Sequence, residues 1–279
     1  MRKPSSNGTG RSKEVGDPSS VREALRKAER FAHTGHHFPF VCYTCHDTVF
    51  WPGCGLAGAY PDIVKKTVEI LTCRLGAQVG VALDCCYDPV FQLGDEEPAM
   101  VAARRIQDRL ASHNTTRVIT GCVNCQKVLS RFLTGTTVEH VLEALPPDAF
   151  ETPGEKQIYL HHPCQVFQFD STRERAREML RGENTKIVES PAPMCCGYGG
   201  GMFRLYPTAA GELTRKITEA AKEYHIVTYC TGCQDRLARE GRRSTHILEM
   251  LSGLEPRRKT ASKTRRWVNR LFLSLSQRV

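Results

Sequence analysis

The residues best suited to chemistry in this sequence are cysteines, thirteen of them in 279 residues. Cys54 is followed by thirty residues, then the adjacent pair Cys85 and Cys86, then thirty-five residues, then the CxxC pair Cys122 and Cys125. The second half repeats the figure: Cys164, thirty residues, Cys195 and Cys196, thirty-three residues, Cys230 and Cys233. Ten of the thirteen fall into this internal repeat, which has to be recognised first because it sets the architecture. Thiolates select zinc, cuprous copper and iron-sulfur clusters over hard cations, and five per module exceed what one tetrahedral zinc uses. Adjacent cysteines do not readily chelate one iron together, but they can ligate neighbouring irons of a polynuclear centre. A cluster is therefore favoured over zinc. After the second pair the chain reads Gly197, Tyr198, Gly199, Gly200, Gly201, a run that lets backbone approach closely and aim N–H groups at sulfide.

The elements that position these sulfurs also repeat. VFWPGC, QVGVALDCC and RVITGC in the first half, and QIYLHHPC, TKIVESPAPMCC and YHIVTYC in the second, each run from a β-prone stretch into cysteine. Amphipathic segments alternate with them, such as PDIVKKTVEILTCRLG, EPAMVAARRIQDRLASH and AAGELTRKITEAAKEYH. The expected fold is α/β: two pseudo-repeated domains, each a small parallel sheet covered by helices, with cysteines at the strand C-terminal ends, where such sheets bind ligands. The expected divisions are a flexible segment over 1–37, a first cysteine-rich domain over 38–147, a second over 156–252 and a basic amphipathic tail over 253–279. The boundary falls in LPPDAFETPGEK, residues 145–156, where prolines, a Pro-Gly pair and charge break the pattern.

Composition narrows the function. With 40% apolar and 25% charged residues the chain is ordinary globular protein. No stretch reaches eighteen apolar residues and no apolar run follows the basic N-terminus, so the expected location is the cytoplasm. So many cysteines in a reducing compartment imply metal or redox chemistry, and their odd number argues against a fully paired disulfide framework. The net charge of +9 is uneven: residues 255–279 hold eight Arg or Lys with Trp267, Val268, Leu271, Phe272 and Leu275 at helical spacing. Such a tail suits peripheral attachment to the inner face of a membrane, a partner, or plain packing. No nucleic-acid reading motif is present, and no nucleic-acid partner is expected. A ferredoxin-type CxxCxxCxxxCP run, a GxGxxG fingerprint and a P-loop are missing from the sequence, so electrons are expected from another protein.

Over residues 49–250 the figure of one cysteine, a long gap, CC(G), a second long gap and CxxC resembles the cysteine-rich CCG domain of the B-type subunit of heterodisulfide reductase and its relatives. In that family two such domains face each other and hold noncubane [4Fe-4S] clusters that cleave a disulfide by supplying single electrons. The second module matches fully: HHPC with Cys164, CCGYGGG with Cys195 and Cys196, and CTGC with Cys230 and Cys233. The resemblance implies a noncubane [4Fe-4S] cluster held by Cys164, Cys195, Cys196, Cys230 and Cys233 with Gly197, Gly199 and Gly200, and catalysis at Cys195 and Cys196. The first module departs once, with Tyr87 where the family has glycine. A side chain there is expected to hold the backbone away, which makes the second module the reactive one. Cys54, Cys85, Cys86, Cys122 and Cys125 are then ligands of a second [4Fe-4S] cluster or of zinc. The implied partners are a cubane-cluster ferredoxin-like subunit, a flavoprotein behind it, and a small-molecule disulfide or other acceptor. Two function classes stand side by side: an oxidoreductase working within a complex, and a non-catalytic electron-transfer or zinc-stabilised assembly subunit.

Other residues have a plain reading beside a chemical one. Cys42, Cys45 and His46 match a CxxCH haem-attachment string, but without an export signal they read as reduced thiols or as contributors to the first module. Cys73 reads as a small buried side chain on a helix. His161 and His162 read as hydrogen-bonding or packing groups near Cys164, with hydrogen bonds to cluster sulfur as the chemical alternative. Arg204 reads as a surface arginine, or as an anchor for an anionic substrate group.

Overall fold

The computed structural model describes residues 18–35, 41–44, 46–149, 157–182, 185–254 and 261–276. Helix α1 (Pro18–Gly35) precedes the first module, which runs β1 (Cys42–Tyr43), β2 (Thr48–Trp51), α2 (Gly53–Ala59), α3 (Pro61–Leu75), β3 (Val79–Leu83), α4 (Asp88–Phe91), α5 (Glu96–Ser112), β4 (Arg117–Thr120), α6 (Val123–Phe132), β5 (Thr137–His140) and α7 (Val141–Ala144). The second runs β6 (Gln157–His161), a 3₁₀ turn (Cys164–Gln168), α8 (Asp170–Leu180), β7 (Lys186–Glu189), α9 (Met202–Leu205), α10 (Pro207–Ala221), β8 (His225–Thr228), α11 (Thr231–Arg239), β9 (Ser244–His246) and α12 (Ile247–Leu251), followed by α13 (Lys263–Ser276).

The local causes are ordinary. In α3, Pro61 and Asp62 occupy the first turn, where a missing N–H is harmless and negative charge suits the helix dipole, and Gly76 ends the helix in the left-handed conformation at φ 63. The continuous apolar run of β3 is buried at every position, as a strand covered on both faces requires.

The first sheet has the order β1-β3-β2-β4-β5 and the second β7-β6-β8-β9. Apart from β1, which pairs antiparallel with β3, every strand pair is parallel. Setting β1 aside, each module places its second strand beside its first, then its third and fourth, so the two are copies in topology as well as in cysteine spacing. The second strand is added on one side of the first and the third on the other, so the winding reverses there, and the crevice at such a switch point is where open α/β sheets bind ligands. Cys54 follows β2 and Cys122 follows β4, and Cys164 and Cys230 follow β6 and β8 in the same way.

The modules share a core. One apolar cluster joins Phe50, Leu56, Ile63 and Val64 of the first to Ile158, Leu160, Val166, Ile247 and Leu248 of the second. The alternate residues of β2 and β6, Val49, Trp51 and Tyr159, face separate outer clusters under α5, α6 and α10. Where the two modules meet, a Cβ on Gly55, next to Cys54, would lie 3.1 Å from Cβ of Thr231, next to Cys230. Reciprocally, Lys127, two residues past Cys125, donates to Gln165, next to Cys164, at 2.8 Å.

At the N-terminus the structure differs from expectation, and at the C-terminus it follows the packing alternative. Within the segment read as flexible, Pro18–Gly35 is helical and packs on α4 and α9, while residues 1–17 and 36–40 lie outside the described residues. Within the tail, α13 docks on α2 and α3: Asn269 Nδ2 donates to the carbonyl of Gly58 at 2.8 Å, and Leu273 and Ser274 are buried. Trp267, Phe272 and Leu275 remain exposed. Among the described residues no helix is long and apolar enough to cross a membrane.

Candidate metal centres

Each module gathers its five cysteines by the same devices. The first cysteine leaves the first strand, the adjacent pair leaves the second, and the CxxC pair caps and enters the helix after the third: Cys122 is the N-cap of α6 and Cys230 that of α11. The thiols then meet in matching pairs. Cys54 lies beside Cys85 and Cys125 beside both Cys86 and Cys122, and equivalently Cys164 beside Cys195 and Cys233 beside both Cys196 and Cys230. Cys125 Sγ lies 3.4 Å from Cys86 Sγ. Among the described residues no three His, Cys, Asp or Glu side chains are arranged to hold a single metal ion; the sulfurs stand as chains of pairs. Five soft donors so linked fit ligation of several irons of one centre.

Glycines let these turns close. At Gly53, φ 77, a Cβ would come within 2.9 Å of Cys122 Cβ and 3.3 Å of Cys125 Sγ, so this position admits no side chain without moving the CxxC turn. At Gly197, φ 76, the obstacle is the backbone of α10, with the Ala210 carbonyl oxygen 2.6 Å from a Cβ. The Gly197 N–H points at Cys195 Sγ at 3.3 Å. The rest of the glycine run does something else: Gly199 and Gly200 both lie against Gln92 of the first module, and Gly201 caps α9.

Tyr87 corrects the expectation drawn from its side chain. It adopts φ 62, the left-handed conformation of Gly197, and its backbone N–H is bonded to Cys85 as that of Gly197 is to Cys195. The conformation costs a non-glycine residue ~1–2 kcal/mol. Burial of the ring among Cys85, Val90, Ala99 and Ala102 offsets it. Both modules thus keep the close backbone approach.

Their electrostatics differ. Asp84 precedes Cys85: its Oδ1 accepts from the Cys85 N–H at 2.7 Å and its Oδ2 from Tyr43 Oη at 2.9 Å and Arg109 Nη1 at 2.8 Å. Asp88 follows Cys86 and is held by Lys127 at 2.7 Å and Asn124 at 2.8 Å. The matching positions in the second module are Met194 and Tyr198. Cys86 accepts from Cys125, yet burial and the charge of Asp88 hold it above its ordinary range. Cys196 accepts from Cys233 and is lowered. Cys195, receiving the Cys164 thiol and the Gly197 N–H, is lowered to about 6. Cys54 is lowered to about 7, by Cys85 first and by the charge of Arg270 to a smaller degree. The donors Cys85, Cys125, Cys164 and Cys233 are raised by the pairs they donate to and by burial. Cys195 is half-buried, whereas its counterpart Cys85 is buried.

Other residues singled out in the sequence take plainer places. Cys42 is buried in β1, Tyr43 serves Asp84, Thr44 accepts from the Val81 N–H at 2.6 Å, and Cys45 lies outside the described residues. Cys73 is exposed, not buried, because the inward stripe of α3 is Ile63, Val64, Thr67 and Leu71. His162 bridges Tyr229 Oη at 2.7 Å and Glu189 at 2.6 Å, and His161 is buried. Burial lowers His161 to about 3 and His162 by less. Arg204 is exposed and lies over the Phe203 ring.

Sequence reading missed a second repeat, EHVLE and THILE. His140 and His246 each cap the next helix, accepting from Leu142 and Leu248 N–H at 3.3 Å. Glu143 and Glu249 accept from Gln126 at 3.0 Å and Gln234 at 3.3 Å, the residues directly after Cys125 and Cys233. Each CxxC helix is thereby tied to the short helix that follows the last strand of its module. The signal was present, as TVEHVLEAL beside STHILEML.

The chain is similar to the B-type subunit of the fumarate reductase (CoM/CoB) of Methanothermobacter marburgensis, 25% identical over 224 residues, 74% of this chain and 45% of that one. It is also similar to an uncharacterized iron-sulfur protein of Methanocaldococcus jannaschii, 23% identical over 195 residues, 66% of this chain and 40% of that one. The chain thus spans less than half the length of either curated relative. Among solved structures, Picrophilus torridus aspartate racemase matches with a TM-score of 0.37 at 10% identity over 74% of this chain and 90% of that one, a likeness too loose to carry an argument. The cysteine-rich domain family CCG matches twice, over residues 48–130 and 158–238, and these two spans hold all ten repeated cysteines. Two copies of the CCG cysteine-rich domain make up most of this chain, and it belongs to that family.

Proposed function

We propose that the chain is an iron-sulfur redox subunit of heterodisulfide-reductase type. Its second module holds a noncubane [4Fe-4S] cluster and its first a second [4Fe-4S] cluster or zinc. The observation that carries this reading is the identical chain of sulfur pairs at the switch point of each sheet. The names of the two relatives, a reductase subunit and an iron-sulfur protein, support it.

When bound, such centres supply electrons singly. The reaction proposed is reduction of a small disulfide: one S–S bond breaks, two electrons and two protons are taken up, and two thiols leave. The electrons come from a cubane-cluster ferredoxin-like partner fed by a flavoprotein. The side chains of the second module suit the reactive role. Cys195 and Cys196 are the pair lowered toward thiolate, their neighbours Met194 and Tyr198 carry no charge, and Cys195 is open to solvent on one side. The buried Thr214 hydroxyl donates to the Cys196 carbonyl at 2.9 Å and fixes the turn.

Anaerobic purification with iron, sulfide and zinc analysis and EPR tests the reading. Iron and sulfide, with a new paramagnetic state on titration with a low-molecular-weight disulfide that depends on Cys195, are expected. Zinc in both modules without iron would leave the non-catalytic assembly reading in its place.

A further inference from the structure

A small cavity of about 20 Å³ borders the first cysteine of the first module, lined by Pro52, Gly53, Cys54, Ala57, Asp84 and Arg270 among others. It has room for about one water and is no substrate pocket. Among the described residues its one cation comes from outside the repeat: Arg270 belongs to α13, which neither module contains.

Several contacts hold α13 there. Asn269, adjacent to Arg270, is buried and donates to the Gly58 carbonyl on α2 at 2.8 Å. Gly58 leaves the helix room to approach, since a Cβ on it would lie 3.2 Å from Arg266 Cβ. One turn before Arg270, Arg266 pairs at 2.6 Å with Asp235, which is almost wholly buried on α11 of the second module. Arg270 itself lies over the Phe31 ring of α1 at 5.3 Å. The helix is therefore clamped by groups from both modules, and half-buried Arg270 is delivered to the cavity that Cys54 lines.

The surroundings give that charge a purpose. A thiolate-ligated iron-sulfur centre is anionic and gains one further negative charge on reduction, so a cation held beside it in a poorly solvated place favours the reduced form. The first module sets Asp84 and Asp88 beside its cysteines, paired with Arg109 at 2.8 Å and Lys127 at 2.7 Å. Among the described residues the 3₁₀ turn of Cys164 has no counterpart of α13; it packs on α6 through Lys127 and Gln165.

We propose that α13 is a built-in part of the first centre, in which Arg270 faces Cys54 and raises the reduction potential of the iron-sulfur group held there. The proposal rests on the proposed function, in its two-cluster form. Arg270 is a positioning residue in this scheme and touches no substrate.

The test is a redox titration of the whole protein followed by EPR, comparing wild type with Arg270→Gln, Arg270→Lys and Arg265→Gln, the last an exposed cation on the same helix. Iron content is measured for each, and Cys54→Ser marks which reduction step belongs to the first module. In Arg270→Gln that step is expected to move to lower potential with iron retained, and to stay shifted at high salt, which screens exposed charges. Arg270→Lys should restore most of the wild-type value and Arg265→Gln should leave it unchanged. An unmoved step with iron present in the first module overturns this inference alone. Zinc in the first module with iron in the second also overturns it and leaves the second centre standing, whereas iron in neither module overturns the proposed function as well.

Discussion

Replacing Gly197 with alanine asks whether the CC turn of the second module needs glycine for its conformation, for its contact with α10, or for both. At φ 76 the left-handed backbone costs an alanine ~1–2 kcal/mol. Its Cβ would also sit 2.6 Å from the carbonyl oxygen and 2.8 Å from Cα of Ala210. Those are backbone atoms in the first turn of α10 and cannot rotate away, so overpacking adds ~1–3 kcal/mol. Gly76 separates the two effects, because it has φ 63 but nothing within 4 Å of where a Cβ would stand. The entropy that alanine removes from the unfolded chain is common to both variants. Gly197→Ala should therefore exceed Gly76→Ala by ~1–3 kcal/mol, about 2–12 °C in thermal midpoint at ~2–4 °C per kcal/mol for a chain of this order of size. Differential scanning calorimetry of the metal-loaded protein, with iron analysis, measures it. Only Gly197→Ala should lose iron. Equal midpoints for the two variants would mean that α10 yields freely and that the close approach is not required.

Cys195→Ser and Cys196→Ser should each lower iron content and redox activity far more than Cys73→Ser, which alters an exposed thiol off the inward face of α3; equal losses by iron analysis would contradict the ligand assignment. His140, His161 and His246 are buried, and burial lowers them to about 4, about 3 and about 3, so the unfolded chain binds their protons first as pH falls below 6.5. Stability is thus complete above that pH and declines on acidification by ~1.4 kcal/mol per unit for each histidine, until the folded values are reached; His140→Asn should flatten the slope of urea-unfolding free energy between pH 6.5 and pH 5. Asp235→Lys turns a nearly buried ion pair with Arg266 into repulsion, at a cost of ~3–5 kcal/mol, and should release α13 without unfolding the modules. Amide exchange of residues 263–276 would rise, and protection there equal to wild type would show that Asp235 does not hold the helix.

The parts of the site legible in the sequence are those that follow from spacing along one chain. Strand endings and cysteine gaps recur at fixed intervals, so Cys54, Cys85, Cys86, Cys122 and Cys125 and their counterparts could be placed at the ends of parallel strands without coordinates. What could not be read depends on torsion angles or on distant partners. Tyr87 looks like a broken motif because residue type suggests conformation only statistically; its φ of 62 is stabilised by packing with α4 and α5 residues that sequence proximity does not reveal. Gly199 and Gly200 look like a sulfide cradle, yet their neighbour is Gln92 in the other module. The Cys42–His46 string reads as chemistry because of its spelling, whereas Cys42 and Tyr43 form an edge strand whose register, Cys42 opposite Leu83, only the sheet determines.

The divergence of the copies extends to one further repeat position. Lys127 and Asp235 each stand two residues past the last cysteine of a CxxC helix, in CVNCQK and CTGCQD. The lysine turns inward, neutralising Asp88 beside Cys86 and reaching Gln165 beside Cys164, so it joins one module's pair to the other module's first cysteine. The aspartate turns to α13 and clamps Arg266, one turn before Arg270, which lines the small cavity beside Cys54. A cation at position 235 would repel that helix, and an anion at 127 would leave Asp88 buried beside a like charge. Each residue therefore suits only its own copy, and opposite charges at this position add to Asp84 and Asp88 in distinguishing two centres whose cysteine spacing and strand order are alike.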